Sequence, residues 1–329
     1  MRAAASRIGI GATCLAALAL APLFVNRGLL FVIGLTMLQA LFALSWNLLF
    51  RYAGLASFGH AMFYGIGAYC TAAVIYHQLA IPFLAAVLLS ALVGGLTAFI
   101  VGLIVLPRAT GIQLAVLTLA LSQLALLFVS YSNFLGRDDG LSGLTRPRLN
   151  FGAFVVDLTP PTAYYYFILI VCAVATAALL WFVSGPRGRT LLAVRIDAER
   201  AAFLGIDVKR QRIAAFTLAG AVAALSGALV APWAQIIATD TMSWLNSAQP
   251  MLATLLGGTA SFWGPVIGAF ALALITYSTR TLAGLSELTV GGILLVVVLL
   301  APSGLYGLVQ ALSRHGRRAA RGVRSEGRS

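Results

Sequence analysis

The strongest constraint in this sequence is a series of long apolar runs separated by short polar gaps. They cover residues 8–26, 29–50, 61–81, 83–106, 111–135, 163–184, 213–238, 243–258, 262–283 and 288–310. Most are near 20 residues, the length an α-helix needs at 1.5 Å per residue to cross about 30 Å of hydrocarbon. They lack the alternating polar positions of a membrane β-strand, so the bundle they specify is helical. The chain reads as an all-α polytopic membrane protein of about ten transmembrane helices. Composition agrees: 60% of its 329 residues are hydrophobic and 9% are charged, against about 25% charged in soluble domains. That is too little polar surface to cover a soluble globule. The membrane domain is expected over 1–312, interrupted by a polar segment at 185–212 and followed by a basic tail at 313–329.

The net charge of +13 comes from 22 basic residues, all arginine except Lys209. Seven lie in 187–212 and six in 314–328. Placing the N-terminus in the cytoplasm puts 17 basic residues inside and five outside, the bias of a positive-inside membrane protein. Both termini are therefore expected to be cytoplasmic. The basic excess reads as topology and contact with anionic headgroups, with no nucleic-acid partner. Residues 1–21 also have the cast of a signal peptide, with Arg2, Arg7 and a closing Ala19-Leu20-Ala21. The apolar run continues through Val25, which favours a retained span. Cys14, Cys70 and Cys172 fall inside apolar runs and read as packing residues.

Enzyme signatures are missing. No HExxH or GxSxG occurs, and Lys209, followed by Arg210, cannot complete a P-loop. No catalytic residue, metal site or bound cofactor is expected, and any ATP consumed is hydrolysed on another polypeptide. The acids lie in loops or at span ends, leaving His60 as the deep titratable group. This weakens an ion-coupled carrier without removing it, because backbone carbonyls and hydroxyls can hold sodium.

Two glycine-rich stretches echo one another. Gly54-Leu55-Ala56-Ser57-Phe58 precedes Ile66-Gly67-Ala68-Tyr69, and Gly258-Thr259-Ala260-Ser261-Phe262 precedes Ile267-Gly268-Ala269-Phe270. Breaks in corresponding halves point to a transporter with pseudo-repeated halves and discontinuous helices. Gly54, Ser57, Gly59 and His60 in the first half, and Gly257, Gly258, Ser261, Gly264 and Pro265 in the second, are candidates for a pathway built from backbone dipoles and small side chains. The alternative for each is close helix packing. The segment 188–205 has apolar residues at helical spacing and reads as a short amphipathic helix, which either docks into a partner or lies in the headgroups.

Five blocks in order resemble the permease subunit of branched-chain amino-acid ABC transporters, of the LivM type. They are WNLLFRYAGLASFGHAMFYGIGAY (46–69), PRATGIQLAVLTLALSQ (107–123), GRDDGLSG (136–143), GRTLLAVRIDAERAAFLGI (188–206) and LLGGTASFWGPVIGAF (255–270). The resemblance implies an inner-membrane importer subunit that pairs with a second homologous permease. Two cytoplasmic ATPases would carry ATP and Mg, and an external binding protein, periplasmic or lipid-anchored, would deliver the substrate. It implies that 188–206 is the ATPase-coupling segment, with Gly188, Arg189, Arg195, Asp197, Glu199 and Gly205 as its candidate residues. Gln113 and Thr118 join the pathway candidates, and Asp138 and Asp139 become candidates for contact with the binding protein. The sequence departs from the family at Arg51, where glycine is usual, at Gln113-Leu114, where Tyr-Phe is commoner, and at Asp197, where a more acidic stretch is usual. These departures leave the substrate open between branched-chain amino acids, other amino acids, and urea or small amides.

Overall fold

The computed structural model describes residues 2–150 and 155–279, with short pieces at 288, 291–292, 295–296 and 304–307. The helices are α1 (Arg2–Phe24), α2 (Arg27–Asn47), α3 (Ala61–Tyr76), α4 (Phe83–Val105), α5 (Ile112–Tyr131), α6 (Pro161–Ser184), α7 (Pro186–Ile196), α8 (Ala198–Phe203), α9 (Val208–Ala234), α10 (Trp244–Gly257) and α11 (Gly264–Ser278). Within the described residues, each apolar run from 8–26 to 262–283 carries a helix. The run 288–310 and the tail 313–329 lie essentially outside the described residues. Among the described residues, five helices are long and apolar enough to cross a membrane by themselves: α2 with its extension to Ala53, α4, α5, α6 and α9.

The bundle is organised around α9, whose buried face is built from small residues: Ala215, Ala219, Gly220, Ala223, Ala224, Gly227, Ala228 and Ala231. Small side chains let backbones touch, which gains dispersion contacts where lipid offers no hydrophobic drive between helices. A Cβ on Gly67 of α3 would stand 1.9 Å from the Ala224 carbonyl oxygen, and one on Gly227 would stand 1.9 Å from that of Tyr64. Helix α2 lies on another side of α9. Ser226 Oγ donates to the Leu38 carbonyl at 2.7 Å, and Trp233 Nε1 to that of Phe31 at 3.1 Å. The outer helices α4, α5 and α6 turn Leu88, Leu92, Leu96, Leu124, Phe128, Ile170 and Val174 outward. Such a rim suits acyl chains as solvent.

The end of the bundle away from α7 carries two small antiparallel ribbons. Strand β1 (Leu141–Ser142) pairs with β4 (Ile236–Ile237), and β2 (Arg148–Asn150) pairs with β3 (Val155–Asp157). There Trp233 stacks between Phe31 and Tyr164, with the Arg146 guanidinium 5.3 Å from its ring centre. Burial pulls the Arg146 pKa below its ordinary value.

The polar segment differs from the single helix expected over 188–205. It forms α7 and α8, broken at Asp197, whose backbone is extended (φ −154°, ψ 101°). The Asp197 carboxylate accepts from the Arg200 backbone N–H at 3.0 Å and caps α8, an arrangement that ends one helix and starts the next.

Candidate functional site: a broken span joined to the polar segment

Helix α2 does not end as an α-helix. It widens into a π-helical turn, Leu48–Ala53, closed by Gly54 in the left-handed region at φ 69°. Leu55 N–H then returns to the Leu49 carbonyl at 3.0 Å. Glycine is needed at 54 for its conformation and for space, since a Cβ there would lie 3.0 Å from Arg195 Cγ on α7. Helix α3, with 16 residues, rises only about 24 Å. The non-helical residues 55–60 lead into it from the π-helical turn.

A largely buried non-helical stretch needs partners for its backbone groups. Neighbouring side chains supply several here. Trp46 Nε1 donates to the Ser57 carbonyl at 2.8 Å. Phe58 N–H donates to Thr118 Oγ1 on α5 at 3.1 Å, and Ala61 N–H to Ser247 Oγ on α10 at 3.1 Å. Gly59 lies so close to α5 that a Cβ would stand 1.8 Å from the Thr118 carbonyl oxygen.

His60 is fully buried between Phe42, stacked at 5.5 Å, and Phe63, edge-on at 5.8 Å. Ser45 Oγ sits 2.8 Å from His60 Nε2. The Ser45 hydroxyl spends its hydrogen on the Phe42 carbonyl at 2.7 Å. His60 is therefore assigned as the Nε2–H donor, with Nδ1 as the free lone pair. Asn47 Oδ1, Ser57 Oγ and His60 Nδ1 are buried polar atoms without a protein partner among the described residues. Buried polar groups normally find one in protein, water or ligand.

The second break follows α10. Gly258 takes φ 106°, and α11 starts at Gly264 with Pro265 in its first turn. Backbones cross closely here: a Cβ on Gly257 would stand 1.7 Å from the Gly264 carbonyl oxygen, and one on Gly264 2.0 Å from that of Gly258. Ser261 Oγ accepts from Trp263 N–H at 3.2 Å, holding the turn. This break is a helix crossing held by close packing, and it too leaves a buried polar atom, Trp263 Nε1, without a partner among the described residues.

Arg51 joins the two breaks and the polar segment. Its Nη1 donates to the Thr259 carbonyl at 3.2 Å, and its own carbonyl accepts from Arg195 Nη1 on α7. Gly188, where a Cβ would stand 2.1 Å from the Val183 carbonyl oxygen, lets α7 turn tightly beneath α6. Gly205, at φ 82°, closes α8. Arg189 and Glu199 are exposed, as are Ile196, Phe203 and Leu204. These three apolar side chains are uncovered, Ile196 at the end of α7 and Phe203 and Leu204 at the end of α8.

The structure thus brings Gly54, Ser57, Gly59, His60 and Thr118 together, and ties Gly54 to Arg195. Gln113 is exposed in the first turn of α5, five residues from Thr118 and on another face. Asp138 and Asp139 are exposed in a short helical turn at the far end, between Gly136 and Gly140, both at positive φ. Ser45, Arg51, Ser247 and Thr259 were absent from the residues singled out as pathway candidates. The i, i+4 pairing of Thr118 and Ser122 on one buried face was a readable signal: Ser122 Oγ donates to the Met242 carbonyl at 3.1 Å.

Comparison with known proteins gives a consistent answer. The family model described as the permease component of the branched-chain amino acid transport system matches residues 28–302. The chain is 26% identical over 321 residues to the high-affinity branched-chain amino acid transport system permease protein LivM of Escherichia coli strain K12, covering 92% of this chain and 75% of that protein. It is also 26% identical over 289 residues to LivH of the same strain, covering 82% and 91%. A probable LivM permease of Methanocaldococcus jannaschii matches at 26% over 313 residues, covering 80% and 88%. No solved structure matches.

Proposed function

The chain belongs to the branched-chain amino-acid transport permease family, and from that premise we propose that it is one membrane subunit of an ABC importer for branched-chain or related amino acids. ATP is hydrolysed on separate cytoplasmic chains, and this chain catalyses no reaction and holds no cofactor. A second homologous permease completes the membrane portion. The bundle has about ten spans with both termini in the cytoplasm. The α7–α8 elbow is then cytoplasmic, and the far end, with Asp138 and Asp139, faces an external binding protein.

The observation that carries this reading is the contact between α7 and the π-helical turn. The exposed apolar side chains of Ile196, Phe203 and Leu204 are a docking surface for an ATPase groove. Movement of the elbow reaches Arg51 through Arg195, and from Arg51 it reaches both Gly54 and Thr259. A π-helical turn is a natural place for such a motion, since its ladder already departs from the regular α-helical pattern. The amino acid itself poses a solvation problem, because its carboxylate and ammonium cannot enter hydrocarbon unpaired. The broken span 54–60 supplies partners that carry no net charge: backbone groups, Ser57, and the unpaired lone pair of His60. Neutral partners hold a zwitterion without trapping it.

Arg195→Ala tests the coupling. In a transporter reconstituted with its ATPases and binding protein, ATP hydrolysis should persist while leucine uptake per ATP falls roughly tenfold, the value of one lost charge-assisted hydrogen bond. Unchanged stoichiometry would remove the coupling role. Uptake driven by an ion gradient without any ATPase would overturn the importer reading.

A further inference from the structure

A large cavity lies apart from residues 54–60. It is a groove of about 890 Å³ between α1, α2, α6, α7 and α11, walled by apolar residues such as Leu18, Leu41, Leu169, Leu180 and Phe270. Along α6 it runs from Leu169 to Ser184, about 22 Å. That equals one leaflet of hydrocarbon, about 15 Å, plus its headgroup layer of about 6 Å. Its charged lining residues, Arg51 and Arg189, belong to the α7 end, beside Tyr52 and Ser184. No carboxylate lines it among the described residues.

The groove's polarity separates two classes of occupant. A free amino acid fills only a small part of a trough this long, and the charged groups lining it among the described residues are Arg51 and Arg189, both at one end. A long apolar trough with positive charge at one mouth is complementary to an amphiphile whose head is anionic. We propose that the groove is a binding site for one anionic phospholipid, its acyl chains along α2 and α6 and its phosphate at Arg51 and Arg189. Basic pockets between spans hold headgroups in this way. Arg51 keeps its bond to Thr259 and so presents a guanidinium already fixed in place. The lipid also adjoins the π-helical turn and α7, so its occupancy bears on the element that carries the coupling. That the occupied leaflet is the cytoplasmic one rests on the function proposed above.

The test uses the transporter purified with its partner subunits and stripped of lipid in detergent. It is then titrated with mixed micelles of phosphatidylglycerol or phosphatidylethanolamine bearing the same chains, and bound lipid is counted by native mass spectrometry. Phosphatidylglycerol should be preferred roughly thirtyfold, the combined effect of two arginines at a headgroup. Arg51→Gln with Arg189→Gln should bring that ratio near one, while Ala177→Trp, which fills the groove from α6, should abolish binding of both lipids. Arg189→Gln alone, at an exposed position, should lower the ratio roughly fivefold and serves if the double variant does not fold. Equal retention of both lipids by the native transporter overturns the proposal, as does a preference that survives Arg189→Gln. Leucine bound in the groove and displacing phosphatidylglycerol would assign it to the transported substrate and overturn it as well. Lipid preference without ATP-driven uptake would count against the importer reading alone, and uptake without lipid preference against the groove alone.

Discussion

Replacing Gly59 by alanine probes whether the broken span is held by direct backbone contact with α5. The new Cβ would stand 1.8 Å from the Thr118 carbonyl oxygen and 2.5 Å from its carbonyl carbon. An ordinary carbon–oxygen contact begins at about 3.3 Å, so the two backbones must part by roughly 1.5 Å. No side-chain rotation relieves this, because both partners are main chain. Overpacking of this kind costs about 1–3 kcal/mol. The same displacement breaks the 3.1 Å bond from Phe58 N–H to Thr118 Oγ1, and a polar group left unpaired adds about 1–3 kcal/mol. The expected loss is therefore about 2–6 kcal/mol. Equilibrium unfolding of the purified permease in mixed micelles, followed by tryptophan fluorescence, measures it, with Trp46 bonded to the segment as a local reporter. Gly28→Ala is the matched control. Its Cβ meets nothing nearer than Asn26 Oδ1 at 3.8 Å, and alanine in a helix gains up to about 1 kcal/mol over glycine. Equal stability of Gly59→Ala and native protein, or equal damage from Gly28→Ala, would refute the reasoning.

Ser247→Ala removes the acceptor of Ala61 N–H at the start of α3 and should cost about 1–3 kcal/mol in the same unfolding measurement. Asp197→Ala removes the cap of α8 and should cost about 0.5–2 kcal/mol locally, read as faster amide exchange over 198–203 with the membrane helices unchanged. The Asp157 carboxylate accepts from the Thr159 hydroxyl and N–H, which holds its pKa below the ordinary range. A depressed pKa means the contribution is present above the ordinary carboxylate value, about 3.9, and is lost as pH falls through the folded value. Exchange of the β2–β3 amides should therefore accelerate on acidification below about pH 4, and Asp157→Asn should abolish that dependence.

The apolar helices were legible because lipid leaves the chain few options: a backbone in hydrocarbon must be helical over a continuous apolar run. The break at 54–60 was legible for a related reason, since Gly54 and Gly59 stand where a helix would gain nothing from them. Its partners were hidden. Ser247 lies 186 residues from Ala61, and Thr259 lies 208 from Arg51, and no local pattern reports contacts at that range. The π-helical turn was hidden too, because Leu48–Ala53 continues the apolar run and differs from an α-helix only in its ladder. Within 188–205 the apolar spacing suggested one helix. Asp197 is a strong N-cap residue, and that chemistry, rather than the periodicity, decided where α7 stops.

The bonds that complete the broken span carry a consequence for biogenesis. At ribosomal rates of about 5–20 residues per second, Thr259 emerges roughly 10–40 s after Arg51. Ser247 follows Ala61 by roughly 9–37 s. Throughout that interval α2 and α3 are already made while two of the acceptors that steady the stretch between them do not yet exist. The segment synthesised among the first is thus among the last to reach its native bonding, and a chain halted before α10 would hold its early helices with that stretch still unfinished.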